Sequence, residues 1–479
     1  IDEILAGRRK PHLVSPAAGA FVSIGNAAAR ERGEGDLVGP TEELARSPIV
    51  VAMWRDMAEA IGWPRKAIRW RDVFEYARDP SQWRQVRKPQ WGSFKFGHTH
   101  PDFSNSGLHA LFLEAYAALG KFENVTRRDL APGTEQVGRF LHEVEHSVVH
   151  YGSSTGFLAN KMQSQGREYL SAAVLYENLV IEMNQEARRQ DSTVSLPQVV
   201  AIYPAEGTFP CEHPVGVVLR PWVTPKHQQA AEAYIAFLRA KPQQEEAKRY
   251  GFRPADTSIP LDDLLKPELG VDATQPRRTL APPPSSAISL LRELWRRNKR
   301  QADIVLAVDT SASMKGEKIR SAEAAAKEFI DMLGAGDSIS TMLFGTDVEW
   351  LAKDLQIDAS GKEEAKKSID GLIPDGDTAL YSAIQEAYAF LETRTRDRTR
   401  AIVVLSDGND TKRSPSLEAL LKQIKNNGED RTIFVFTIAY GADADPKTLR
   451  LISGASQGKT YEGAIGNIRK VFTEIATFF

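Results

Sequence analysis

The chain has 479 residues, room for about three compact units at roughly 150 residues each, and its 42% hydrophobic and 26% charged content excludes wholesale disorder. With 61 Lys plus Arg against 63 Asp plus Glu the formal charge is -2, so no global attraction to nucleic acid or to an anionic membrane is expected. Cys211 is the single cysteine, which excludes an intramolecular disulfide and a cysteine-rich zinc site. The chain opens on Ile1-Asp2-Glu3-Ile4, neither an initiator Met nor a signal peptide, so a further N-terminal segment is expected, and any export signal or membrane anchor with it. In the N-terminal half, Ile49-Val50-Val51-Ala52-Met53 and Val199-Val200-Ala201-Ile202-Tyr203 read as buried strands, and 107–118 and 167–186 as helices.

Two turns rich in small hydroxyl residues, Ser104-Asn105-Ser106-Gly107 and Ser153-Ser154-Thr155-Gly156, stand directly before helices. Such turns cap helices, and their free amides also suit a polar or anionic ligand. Between them, His142-Glu143-Val144-Glu145-His146 fits H-E-x-x-H, which on a helix turns two imidazoles to one face. Glu168 and His150 are the candidate further ligands. The helix is expected to stop near Val149, so a solvated face is the leading reading and a zinc peptidase the alternative. His98-Thr99-His100 is expected to line a cleft rather than hold metal. Cys211, with only His213 nearby in sequence, reads as a small semi-buried residue. Trp54, Trp63, Trp70, Trp83 and Trp91, interleaved with Arg55, Arg65, Lys66, Arg69 and Arg71, read as packing residues rather than a nucleic-acid stacking platform.

Prolines at 254, 260, 267, 276, 282, 283 and 284 forbid long helices and mark 257–301 as a linker, ending in an amphipathic helix over 285–300 with Ile288, Leu291, Leu294 and Trp295 on one face. Beyond it, strands at 303–308, 338–344, 401–406 and 432–439 alternate with helices at 319–333, 378–392, 416–426, 447–453 and 468–478, the pattern of a doubly wound parallel sheet. Ligands bind such sheets at the carboxyl ends of strands. There stand Asp309-Thr310-Ser311-Ala312-Ser313, Thr378 within Asp375-Gly376-Asp377-Thr378, and Asp407. An oxygen-only donor set of this kind suits Mg²⁺, Mn²⁺ or Ca²⁺.

These spacings resemble the von Willebrand factor A family and its metal-ion-dependent adhesion site, over 302–479. The resemblance implies that Ser311, Ser313 and Thr378 coordinate a divalent cation directly, and that Asp309 and Asp407 act directly or through water. It also implies an open position for a partner's carboxylate. Asp377 is expected to be a solvated loop residue. Residues 1–256 resemble the type II solute-binding proteins of bacterial importers, through Glu43 to Met53, Trp91-Gly92-Ser93-Phe94-Lys95-Phe96-Gly97, Ser104 to Gly107, Tyr151 to Gly156, Tyr203 to Thr208 and Tyr250-Gly251-Phe252-Arg253-Pro254. That resemblance implies two lobes, 1–95 with 210–256 and 96–209, joined by strands crossing near Phe94 to His98 and Tyr203 to Pro210. The ligand would lie between the lobes. The first strand and helix usual in that family have no counterpart here, and of the serine-bearing loop at 15–20 only Ser15 remains.

The resulting expectation is an α/β chain: a two-lobed solute-binding unit, a linker, and a doubly wound domain with an intact metal site. Ser15, Ser104, Ser106, Ser154, Thr155, Tyr176 and Tyr203 are the expected cleft residues, for a small polar solute. Mg²⁺ is the cation expected foremost. No catalysis, an extracytoplasmic location and a role in adhesion, sensing or assembly complete the reading; a cytoplasmic adaptor of a chaperone-type ATPase is a further alternative.

Overall fold

The computed structural model describes the chain apart from residues 85, 132, 133, 149, 150, 192, 194, 195, 262, 263, 396, 413, 426–432, 442, 443 and 457. His150 and the expected element ends at 426 and 432 lie outside the described residues. The chain forms two units, Ile1–Asn298 and Lys299–Phe479.

In the second unit the strand Ala302–Asp309 is buried at all eight positions, as an unbroken apolar run covered on both faces must be. It lies centrally, parallel to Ser338–Phe344 on one side and to Thr399–Ser406 on the other. Ile433–Tyr440 and Thr460–Gly463 continue the parallel order, and Val348–Gln356 closes the opposite edge antiparallel. Helices Leu380–Glu392, Leu417–Lys425 and Pro446–Ala455 cover one face. Helices Glu317–Met332 and Ile468–Ala476 pair with each other, Phe329 lying 5.5 Å from Phe472 between ring centroids. The expected doubly wound sheet is therefore present. Strand order reverses between Ala302–Asp309 and Thr399–Ser406, which places Asp309 and Asp407 together at the switch point where such sheets bind ligands.

The first unit has two lobes, divided differently from the expectation. One is a three-stranded antiparallel sheet with Pro214–Val218 between Leu13–Val14 and Val38–Glu43, over a small core of Ile4, Leu5, Val22, Ala29, Leu37, Val38 and Val218. The other is a four-stranded sheet in which Ile49–Trp54 lies between Ala172–Tyr176 and Val199–Ile202, with Phe96–Gly97 at the edge. Residues 49–95 thus belong with 96–209 rather than with the N-terminus. An all-apolar run such as Ile49 to Met53 has to take a central position, and its partners lie more than a hundred residues downstream.

The crossing segments correspondingly lie at 44–49 and 209–213, not at Phe94 to His98. They run side by side, with Leu44, Ser47 and Ile49 amides donating to the carbonyls of His213, Cys211 and Phe209 at 3.4, 3.2 and 3.0 Å. Cys211 and His213 hold left-handed φ values of 48° and 44°, a conformation that costs a non-glycine residue about 1 kcal/mol or more.

Two further readings change. The helix expected over 167–186 is a strand, Ala172–Tyr176, followed by the helix Glu177–Gln190; the Ala-Ala-Val-Leu run is short and fully buried, which hides helix and strand from each other. The proline-rich stretch holds no long helix, but it is no free tether. Leu265, Leu269, Val271 and Leu280 are buried in the core of the first unit. Helix Ser285–Asn298 buries Ala287, Ile288, Leu291, Leu294 and Trp295 against helices Asn105–Leu119, Arg127–Leu130 and Thr134–Glu145. All five early tryptophans lie in that core or pack against it.

Candidate metal centre and solute cleft

At the carboxyl end of the second unit's sheet, the five expected oxygen-donor residues come together. Asp309 ends its strand fully buried; its carboxylate accepts from the Ser311 amide at 2.8 Å and from the Ser406 hydroxyl at 2.6 Å. Ser311 Oγ and Ser313 Oγ are 3.0 Å apart, and Ser313 donates to Asp407 Oδ1 at 2.6 Å. Asp407, also fully buried, meets the Lys318 ammonium at 2.6 Å through its other oxygen. Burial lifts the Asp309 carboxyl above its ordinary range against the lowering pull of its hydrogen bonds, and the charge of Asp407 adds to the rise.

Thr378 reaches this group from the loop 375–378, which is tied down by Ala312 N to Gly376 O at 3.1 Å and Asp375 N to Thr310 O at 2.8 Å. Thr411 holds it from behind, its hydroxyl accepting from the Thr378 amide at 3.0 Å, and Thr378 Oγ1 lies 3.6 Å from where a Cβ on Gly408 would stand. Asp377 is 60% exposed and pairs with Lys412, in keeping with a solvated loop position. Sequence reasoning missed Lys318, Ser406 and Thr411. Lys318 stands just before the helix expected over 319–333, and only the fold brings it to Asp407.

The donor chemistry fits a hard divalent cation. Two fully buried carboxylates face a single ammonium among the described contacts, and three hydroxyl residues complete an oxygen-only set.

In the first unit, Ser15, Ser104, Ser154, Thr155 and Tyr176 line one cleft of about 740 Å³. Ser104 and Ser154 are the N-cap residues of helices Asn105–Leu119 and Thr155–Gln165, so two helix N-termini open onto it. Its apolar wall includes Val14, Phe21, Leu179 and Phe252. Two expected residues lie elsewhere. Ser106 is buried behind the wall, its hydroxyl bonded to Thr99 Oγ1 at 2.7 Å and Thr155 Oγ1 at 2.8 Å. Tyr203 lines a different cavity, with Trp63 and Arg278, because its hydroxyl is spent on buried Glu177, which Arg253 also pairs at 2.7 Å.

The cleft also holds residues the sequence did not single out as ligands. Asn105 Oδ1 and His213 Nε2 are buried without a hydrogen-bond partner among the described residues, and both residues line the cleft. Burial lowers the His213 imidazole to about 4, so it is neutral at pH 7. Cys211 is buried, accepts from Asn105 Nδ2 at 3.4 Å, and has its thiol pushed up by burial, away from nucleophilic character.

The H-E-x-x-H residues do not converge as a metal-ligand group. The His142 and His146 ring centroids are 3.8 Å apart on the surface, the rings tilted by 48°, while Glu143 is paired with Arg78. Among the described residues neither Glu168 nor another His, Cys, Asp or Glu completes a three-ligand group with them. His98 does not line the cleft as expected; it is fully buried inside the second lobe.

Comparison with known proteins agrees with this architecture. The family model for a bacterial extracellular solute-binding protein matches residues 4–253 and that for a von Willebrand factor type A domain matches residues 302–462. Inter-alpha-trypsin inhibitor heavy chain H2 of Mesocricetus auratus is 29% identical over 164 residues, 33% of this chain and 17% of that protein. Voltage-dependent calcium channel subunit alpha-2/delta-2 of Homo sapiens is 26% identical over 177 residues, 35% of this chain and 15% of that protein. The chain therefore spans less than a fifth of the length of either relative. Among solved structures, a von Willebrand factor type A protein from Catenulispora acidiphila is similar at 22% identity and a TM-score of 0.35, covering 37% of this chain and 42% of that one. With the first model matching more than half of its length, the chain belongs to the bacterial extracellular solute-binding protein family, and it carries a von Willebrand factor type A domain after that region.

Proposed function

We propose that this chain is a non-enzymatic, extracytoplasmic binding protein in which a cleft for a small polar solute is joined to a site that grips a carboxylate-bearing protein or ligand through a divalent cation. Asp309, Ser311, Ser313, Thr378 and Asp407 are the residues that would hold the cation. When bound, it would supply an open coordination position to an oxygen of the partner. The rest is done by the chain's own groups: Ser406 and the Ser311 amide fix the Asp309 carboxylate, Lys318 and Ser313 fix Asp407, and Thr411 fixes the Thr378 loop.

The observation that carries this reading is the meeting, at the switch point of one sheet, of oxygen donors from three distant segments around two buried carboxylates. Mg²⁺ is the preferred cation, since a set without nitrogen or sulfur selects hard ions. Adhesion, sensing or assembly is the role such a pairing serves. The extracytoplasmic location rests on the solute-binding family. Titration calorimetry with Mg²⁺, Mn²⁺ and Ca²⁺ tests the centre: wild type should bind at least one of them and Asp309→Ala none, while circular dichroism reports a folded chain. Identical responses of the two proteins to all three ions would remove the proposal.

A further inference from the structure

Three ionisable side chains meet inside the second lobe, apart from the cleft-lining residues. His98 follows the edge strand Phe96–Gly97, Glu114 lies within helix Asn105–Leu119, and Glu145 ends helix Thr134–Glu145. All three are 0% exposed. His98 Nε2 is 3.3 Å from Glu145 Oε2 and 3.7 Å from Glu114 Oε1, and one ligand atom from each residue lies within 4.8 Å of the others.

The hydrogen bonds around this group satisfy it only in part. His98 Nδ1 is 2.8 Å from the Thr99 carbonyl; a carbonyl only accepts, so Nδ1 carries a hydrogen, and Nε2 meets Glu145 Oε2 at 3.3 Å, a contact held by a shared proton or, in the neutral imidazole, open to a cation taken by the Nε2 lone pair. Tyr151 donates to Glu145 Oε2 at 2.7 Å. As carboxylates, both oxygens of Glu114 and Oε1 of Glu145 have no hydrogen-bond partner among the described residues, whereas buried polar atoms are nearly always paired. Ligand atoms from three elements therefore converge on one buried point. The two separations from His98 Nε2, 3.3 and 3.7 Å, are near the edge of a tetrahedral coordination sphere, about 3.4 Å for bonds of about 2.1 Å.

We propose that His98, Glu114 and Glu145 bind a divalent transition-metal ion, Zn²⁺ foremost, as three protein ligands at a buried site. One imidazole and two carboxylates suit zinc or manganese better than magnesium or calcium. The Nδ1–H bond to the Thr99 carbonyl is the outer contact that fixes a ligand imidazole's tautomer. The site takes Glu145 from the His142-Glu143-Val144-Glu145-His146 segment and leaves that motif's own ligands on the surface.

The test uses the whole chain carrying Asp309→Ala, stripped with a chelator, dialysed against micromolar Zn²⁺, and then measured for zinc content and thermal midpoint. One zinc per chain and a raised midpoint are expected. Glu114→Gln and His98→Gln should each weaken binding by more than about 100-fold, beyond the loss typical of removing an outer-shell partner, while the double variant His142→Ala/His146→Ala changes neither readout. No zinc uptake with an unmoved midpoint would overturn the proposal and leave protons shared among the carboxylates as the filling of the space. Zinc lost in His142→Ala/His146→Ala but kept in Glu114→Gln would overturn it equally. Should the core variants not fold, X-ray absorption on the zinc-loaded parent decides: a single imidazole among oxygen ligands supports the site, and two imidazoles overturn it.

Discussion

Lys318 and His109 are two residues whose importance comes from what burial does to charge. The Lys318 ammonium, 2.6 Å from Asp407 Oδ2, neutralises a carboxylate that has left water, yet it also stands where it repels a divalent cation. Lys318→Met should therefore lower stability in chelator and tighten cation binding by about tenfold, the equivalent of ~1.4 kcal/mol; calorimetry with and without Mg²⁺ checks both signs. His109 is fully buried, its ring 4.5 Å from that of Phe209, and burial lowers it to about 4 from 6.5. A base whose folded pKa is depressed leaves the unfolded state binding the extra proton, so the stability it contributes is full above pH 6.5 and lost as pH falls toward about 4. The cost approaches about 3 kcal/mol at one pH unit per 1.36 kcal/mol. Denaturant melts of His109→Phe between pH 7 and 4 should fall less steeply than those of wild type.

At the scale of elements, helix Ser285–Asn298 is the clearest case of structure concealed by composition. Seven prolines upstream make the region read as a tether, while Ile288, Leu291, Leu294 and Trp295 already carry the helical spacing of a face that needs a partner. That partner is the helix layer of the solute-binding unit. A fragment ending at residue 256 should thus expose the face the helix covers, melting lower and aggregating more readily than a fragment ending at 298. Trp295→Ala in the longer fragment should cost about 3–5 kcal/mol, as other buried tryptophan truncations do; thermal melts and light scattering check both. The same distinction separates what was legible from what was not. Asp309, Ser311 and Ser313 could be read because a strand end and a short loop set their spacing, and Thr378 and Asp407 because each opens or closes an element. Ile49 to Met53 was legible as a strand but not as to its lobe, because its neighbours 172–176 and 199–202 are fixed by long-range pairing. His98, Glu114 and Glu145 come from three elements, and no local period joins them. Tyr203 and Ser106 carry the right chemistry, but pairing with Glu177 and Thr155 takes their hydroxyls out of the cleft.

For the molecule as a whole, the division at residues 298 and 299 places the candidate cation site and the cleft in different compact units. The fragment Lys299–Phe479 should fold alone and gain thermal stability from Mg²⁺, by RT ln(1 + [L]/Kd), whereas the fragment Ile1–Asn298 should show no gain from Mg²⁺. Scanning calorimetry of the two fragments checks this, and equal gains would place the responsive carboxylates elsewhere. Within the first unit, one residue belongs to two structures at once. His213 is part of the crossing segment at 209–213, held at a left-handed φ of 44°, and it is also part of the cleft wall, where its Nε2 has no hydrogen-bond partner among the described residues. A solute that donates a hydrogen bond to that nitrogen would bear directly on the joint, with no intervening lever: occupancy would hold the backbone torsions of the segment that connects the two sheets.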